Sequence, residues 1–500
     1  MLEKIDLEKK LEKDEYKNKI ESLKIRLGDL QREARELNLP VMIVFEGFDA
    51  AGKGVQIGEL LQALDPRGFE VHAVKNETED EKMHPFLWRF WRKMPAKGKI
   101  AIYDSSWYRK VLIDRFEKRT REKDLEKYYR SICSFEKQMT DDGMLLIKLF
   151  LTIDKKEQKR RFEKLLKSKD TAWRVTEGDL KRHHKFEKYQ AINEDMLVRT
   201  DTSDAPWNII EATDRRYASV KIYGIVIRAL EEKITEIKKE QESTKKETEV
   251  YEEPEELIES VLAKADLTKS YTKSEYKIKL KKLQKRLEHL QGELYQKRIP
   301  VVIGFEGWDA GGKGGAIRRL TEHMDPRGYI VHPTASPNDT ERAHHYLWRF
   351  WTDMPKNGHI TIFDRTWYGR VMVERIEGFC SKNEWKRAYQ EINDMERDLS
   401  DSGVIILKFW MQIDKDEQEK RFQARQENPE KQWKITDEDW RNRSKWDDYE
   451  KAVNEMLVRT STSYAPWTVV EANDKYYARI KVLQTVVDAI EMQLKEEKAD

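Results

Sequence analysis

Cysteine is nearly absent: Cys133 and Cys380 are the only two in 500 residues, too few for a disulfide framework or a zinc site. No apolar run approaches 18 residues, which excludes a membrane-spanning helix. An excess of either charge is also missing, since 95 Lys and Arg face 93 Asp and Glu for a net charge of +2. That balance excludes a uniformly basic nucleic-acid binder while leaving room for a locally basic cleft. The amino end, MLEKIDLEKKLEKDEYKNK, is charged from the start and lacks the apolar stretch of a signal peptide, so a cytoplasmic chain is expected. Apolar residues make up 38%, or about 42% with the 22 glycines counted, slightly below the usual share for soluble domains. Charge is abundant instead, at 38% of residues. Yet 16 Phe, 20 Tyr and 15 Trp are more than a disordered polyelectrolyte carries, and a packed core is expected.

The chain repeats itself. VMIVFEGFDAAGKG begins at residue 41 and VVIGFEGWDAGGKG at 301, 260 positions later. The same shift relates LDPRGF (64–69) to MDPRGY (324–329), LWRFW (87–91) to its twin at 347–351, YDSSWYRKV (103–111) to FDRTWYGRV (363–371), and MLVRTDTSDAPW (196–207) to MLVRTSTSYAPW (456–467). A unit this long is a duplicated domain rather than a solenoid repeat. The expected division is a first domain over 1–245, a charged linker over 246–261 and a second domain over 262–500. Each copy opens on a charged helical pattern and then alternates helices with short apolar runs. In the second copy these runs are IPVVIGFEG, YIVHP, HITIFD, VIILKFWMQID and WTVVEA. Such runs between helices predict an α/β fold with a buried parallel sheet covered on both faces.

Two segments carry chemistry. VVIGFEG ends on the first residue of Gly307-Trp308-Asp309-Ala310-Gly311-Gly312-Lys313-Gly314, which is followed by a helical pattern. Strand, glycine loop, lysine and helix is the order of a phosphate-binding loop. Its N–H groups curl around phosphate oxygens and Lys313 adds a mobile cation. Gly314 replaces the hydroxyl residue that usually holds Mg²⁺, and Asp309 within the loop makes sense as a metal ligand instead. The second segment, ITIFD followed by Arg365-Thr366-Trp367-Tyr368-Gly369-Arg370, is a strand ending in Asp364. Asp364 would bind Mg²⁺ or orient the acceptor oxygen, and Arg365 and Arg370 could make forked bonds to phosphate. Further on, Arg421 and Arg425 share a helix face ahead of Lys431 and Lys434, the composition of a lid over a migrating phosphate; a solvated charged helix would use the same letters. LWRFW and APW read as packing motifs, His344 and His345 as helix-surface residues, and DPRG as a helix-ending turn.

On GWDAGGKG, LDPRGF/MDPRGY, LWRFW, FDRTWYGRV and the APW segment, the chain resembles the polyphosphate kinase 2 family in its tandem two-domain form. The resemblance covers both copies. It implies two P-loop kinase-like, thymidylate-kinase-like three-layer αβα domains with parallel central sheets and helical lids. It also implies Mg²⁺-dependent transfer of a terminal phosphate from inorganic polyphosphate to AMP, giving ADP, with Mn²⁺ as a substitute ion. Neither nucleic acid nor membrane is an expected partner, and homo-oligomerisation stays open. Carried over residue by residue, the loop Gly307, Gly311, Gly312, Lys313 and Gly314 takes polyphosphate, while Asp309 and Asp364 serve metal and transfer. The competing readings are an ATP-dependent nucleoside or nucleotide kinase and a non-catalytic polyphosphate-binding scaffold.

The copies are unequal. The first keeps Asp49, Lys53 and Asp104, but Ser105 stands for Arg365, Arg109 for Gly369, Lys110 for Arg370 and Leu165 for Arg425. Losing guanidinium groups from a site that clamps a polyanion removes charge stabilisation. Catalysis is therefore expected in the second copy, and a structural or polyphosphate-binding role in the first.

Overall fold

A computed structural model describes residues 1–243, 260–430, 432, 435 and 437–496. The first copy contains β1 (Val41–Gly47), β2 (Phe69–Ala73), β3 (Ile100–Asp104), β4 (Leu145–Thr152) and β5 (Trp207–Glu211). They form one parallel sheet in the order β2-β3-β1-β4-β5. The five apolar runs of the second copy become β6 (Val301–Gly307), β7 (Tyr329–Pro333), β8 (Ile360–Asp364), β9 (Ile405–Gln412) and β10 (Trp467–Glu471), with the equivalent order β7-β8-β6-β9-β10. Central β6 is buried along nearly its whole length, so it shows no apolar–polar alternation; β7, at an edge, is half exposed.

Helices supply the crossovers that parallel strands require. In the second copy the leading helix Lys273–Lys297 starts on a capping box, with Thr272 and Glu275 each satisfying the other's backbone N–H. It buries Leu283, Leu287, Leu290 and Leu294, a single stripe at helical spacing, against the closing helix Lys475–Glu496. The remaining faces of such helices stay wet, which accounts for a chain that is both highly charged and well packed.

The strand order sets the position of the site. From β6 the chain travels to one side for β7 and β8, then crosses to the other for β9 and β10, so the connections diverge at the carboxyl end of β6. Ligands of open α/β sheets bind in that crevice. Phe305 pairs with Asp364, so the glycine loop and the strand-ending aspartate leave neighbouring strands at the same edge.

Two compact units emerge, and a single cut in the chain does not separate them. The first unit holds Met1–Asn76, the described part of Arg89–Glu252, and Asp339–His345; the second holds Glu77–Trp88, Tyr346 onward and the segment up to Asn338. Within the second unit Asn357 N–H donates to the Met83 carbonyl at 2.7 Å and Lys356 pairs with Asp80 at 2.7 Å. Within the first, Lys97 N–H donates to the Ala343 carbonyl at 2.8 Å and Trp91 packs near His345. His345 is therefore buried, contrary to the helix-surface position expected from its sequence. Apart from Ser260 and Val261, the expected linker at 246–261 lies outside the described residues.

Under each Asp-bearing strand lies a buried polar knot. Lys408 donates to Glu396 at 2.7 Å, the Tyr368 hydroxyl at 2.8 Å and the Thr460 carbonyl at 2.7 Å, while Trp367 and Tyr368 both donate to Glu396. Burial pulls the Lys408 ammonium below its ordinary value and pushes the Tyr368 hydroxyl well above its own. Lys148, Glu136, Tyr108, Trp107 and Thr200 repeat the arrangement in the first copy. The knot anchors the aromatic pair of FDRTWYGRV and so fixes the turn that follows Asp364. Lys408→Met should cost about 3–5 kcal/mol in chemical denaturation, because it strands a buried carboxylate. Adding Glu396→Leu should recover part of that loss; a Lys408→Met protein as stable as the parent would show that the pair contributes nothing.

Candidate active site

The glycine loop is shaped by backbone constraints. Gly307 has φ +146°, and a Cβ there would lie 2.7 Å from the Met411 carbonyl oxygen. Gly312, at φ +104°, starts the helix Lys313–Thr321 from a left-handed conformation, which leaves that helix's first N–H groups facing the loop. Ala310 and Arg365 also sit in the left-handed region at φ 62° and 67°, as do their counterparts Ala50 and Ser105. Residues with a Cβ are uncommon in this region, and here Ala310 and Arg365 lie in the two turns that follow the ends of β6 and β8. Trp308 stacks on Trp446 at 3.7 Å between ring centroids, which pins the loop from behind.

Lys313 folds over the loop, its ammonium donating to the Gly307 carbonyl at 2.6 Å. Asp309 accepts from Arg365 at 3.4 Å and from the Asn442 amide at 3.2 Å, so loop, Asp-strand turn and the helix Asp437–Ser444 converge on one carboxylate. Asp364 is half-buried, and its carboxylate has no hydrogen bond or ion pair among the described residues. The buried Asn442 Oδ1 likewise has no hydrogen-bond partner there. Arg370 has other neighbours: it pairs with Glu374 at 3.1 Å and lies 4.4 Å over the Tyr346 ring.

The two arginines expected in a lid differ in placement. Arg421 is buried beneath the loop, donating to the carbonyls of Ala310, Ala472 and Asn473 and to Glu417. Arg161 does the same in the first copy. This makes Arg421 a brace for the loop rather than a cation over the phosphate. Arg425 is half-buried, with the Asp439 and Asp309 carboxylates supporting its charge against desolvation. Lys431 and Lys434 lie outside the described residues. Arg327 spends its guanidinium on Asp325 within the DPRG turn, which caps a short 3₁₀ turn leading into β7.

Sequence reasoning missed a glutamate. Glu306, at the end of β6, is buried and accepts from Thr366 N–H at 2.7 Å and its hydroxyl at 2.8 Å, clamping the turn that carries Arg365. Burial raises its carboxyl, an effect Lys313 partly offsets. Its counterpart Glu46 is bonded to Ser106, and burial pushes it up to about 7 from 4.5. A carboxyl raised on folding binds more protons in the native state between those two values. Stability it confers when protonated is therefore lost as pH climbs from about 4.5 to about 7. Glu46→Gln should remove that slope, leaving the variant more stable than the parent by on the order of 1–3 kcal/mol at pH 8 and nearly equal at pH 4. Parallel stability curves for the two proteins would contradict this.

The first copy is arranged differently around its aspartate. Lys53 reaches the Gly47 carbonyl at 3.2 Å, and Asp104 is in place with no side-chain partner among the described residues. Asp49, however, takes two bonds from Arg182, at 2.6 and 3.2 Å. Arg182 and Asn442 are equivalent positions, 260 residues apart. Comparing the two copies at every position, rather than within the motifs alone, would have found this pair.

A family profile described as Polyphosphate kinase 2 matches residues 10–240 and 270–498. Over its full length the chain is 40% identical to a polyphosphate:AMP phosphotransferase of Pseudomonas aeruginosa, covering 100% of both proteins. A protein of the same name from Acinetobacter johnsonii is 36% identical over 89% of this chain and 90% of its own length. A crystal structure of a polyphosphate kinase 2 from P. aeruginosa superposes with a TM-score of 0.87 at 38% identity, covering 99% of this chain and 100% of the other.

Proposed function

The chain belongs to the polyphosphate kinase 2 family, and from that premise we propose that it transfers the terminal phosphoryl group of inorganic polyphosphate to AMP, giving ADP, at the second copy's glycine loop. The observation that carries the choice of copy is the state of the loop aspartate: among the described residues Asp309 bonds to Asn442 and an exposed Arg365, with Arg425 also acting on its charge, whereas Asp49 is neutralised by a buried arginine. The AMP phosphate is already an anion near neutral pH, so the reaction needs alignment and charge neutralisation more than a strong base. Lys313 turns from its loop carbonyl to the donor phosphate, the N–H groups at the start of Lys313–Thr321 receive its oxygens, and Arg365 and Arg425 screen the charge from the open side. Glu306 holds the turn that aims Arg365.

Asp309 and Asp364 suit Mg²⁺: both are hard oxygen donors, and among the described residues Asp364 has no side-chain partner and the buried Asn442 amide oxygen has none either. Among the described residues no cluster of three or more His, Cys, Asp or Glu could hold a metal, so the remaining ligands would be substrate oxygens and water. Bound there, the ion would spread charge off the phosphoryl oxygens. The reaction is tested by supplying polyphosphate and AMP without ATP: ADP should accumulate. Formation of ADP only when ATP is added would point to a nucleotide donor, and binding of polyphosphate without turnover to a scaffold.

A further inference from the structure

The position shared by Arg182 and Asn442 separates the two loops more sharply than any residue within them. Arg182 is only 6% exposed, and its guanidinium is bound by three carboxylates: Asp49 through two bonds, Asp179 at 2.5 Å and Glu117 at 3.4 Å. It cannot leave Asp49 without leaving the others and stranding buried charge. Asp309 has no such lock. Among the described residues its one ion pair is with Arg365, 58% exposed and at 3.4 Å, a solvent-screened contact of small energy that a bound ion can displace, while the half-buried Arg425 also acts on its charge. Asn442 brings no charge; it donates one N–H to Asp309, and its amide oxygen is buried without a partner among the described residues. Around the other carboxylate the copies agree, for Asp104 and Asp364 are both without side-chain partners there.

We propose that this helix position decides which copy takes a divalent cation: Arg182 is a tethered cation standing in for the metal in the first copy, and Asn442 leaves Asp309 available and adds an oxygen donor in the second. This deepens the reading above and rests on Asp309 and Asp364 as the metal carboxylates. Asp104 alone, with Asp49 already neutralised, gives the first copy one usable carboxylate, too little for a hard divalent ion without substrate.

Mn²⁺ alone, titrated into the full chain and followed by its electron paramagnetic resonance signal, reads the number of ions bound. The parent should bind one, lost in Asp309→Asn and kept in Asp49→Asn. Arg182→Asn should bind two, the second lost when Asp49→Asn is added, and Asn442→Arg should bind none. If Arg182→Asn fails to fold by circular dichroism, Arg182→Gln removes the charge while keeping an amide donor, and Asn442→Arg tests the same claim from the other copy. Two ions in the parent with one lost in Asp49→Asn, or an unchanged count in both position-182 and position-442 variants, would overturn the inference. A parent ion indifferent to Asp309→Asn would instead sink the metal assignment under Proposed function, whatever position 182 does.

Discussion

Lys313→Ala should abolish nearly all ADP formation from polyphosphate and AMP, while Lys53→Ala should retain most of it. Both lysines rest on the first carbonyl of their loops, so geometry alone does not distinguish them. Their surroundings do. Lys313 shares its site with Arg365 and with an aspartate that is not locked, whereas Lys53 shares its site with Ser105, Leu165 and the closed Asp49–Arg182 pair. Removing one preorganised charge from a phosphoryl-transfer site costs roughly 10²–10³-fold in kcat. Point variants are the proper instrument, since among the described residues each lysine hydrogen-bonds only to carbonyls of its own loop. Equal collapse in Lys53→Ala and Lys313→Ala would end the single-active-copy reading, and equal partial losses would mean two working sites.

Asp309→Asn and Asp364→Asn should each lower kcat by at least about 10²-fold. Neither carboxylate is tightly tied into the fold: among the described residues Asp364 has no side-chain partner, and Asp309 bonds to one exposed guanidinium and one amide, with Arg425 acting on its charge. The substitutions should therefore leave thermal stability within about 1 kcal/mol of the parent. Activity and melting measured side by side make the test specific. Near-parental turnover in either variant would remove that residue from the site, and a large drop in melting temperature would mean that its role is structural.

The strands and the loop could be read from local letters. Interior strands of a parallel sheet are continuous apolar runs, and a glycine loop between strand and helix lies within eight positions. What stayed hidden were contacts between distant residues of ordinary composition. Asp49 and Arg182 stand 133 residues apart, and Glu306 and Thr366 stand 60 apart. Lys408 looked like any charged residue until the sheet buried it. Arg421 and Arg425 show a second limit: a spacing of four says that two side chains share a helix face, not what that face meets. One of the pair turned out to brace loop carbonyls. His345 followed the same logic, with burial supplied by a part of the chain that local pattern cannot see.

The allocation of 77–88 to the unit built around β6, and of 339–345 to the unit built around β1, bears on how a duplicated gene can evolve. A copy that has lost its chemistry is ordinarily dispensable and drifts or is deleted. Here a fragment beginning at residue 260 would lack the stretch whose Met83 carbonyl and Asp80 carboxylate bind Asn357 and Lys356. The first half thus carries a segment that the unit around β6 uses, which is a reason to retain it that does not depend on whether its own loop is active.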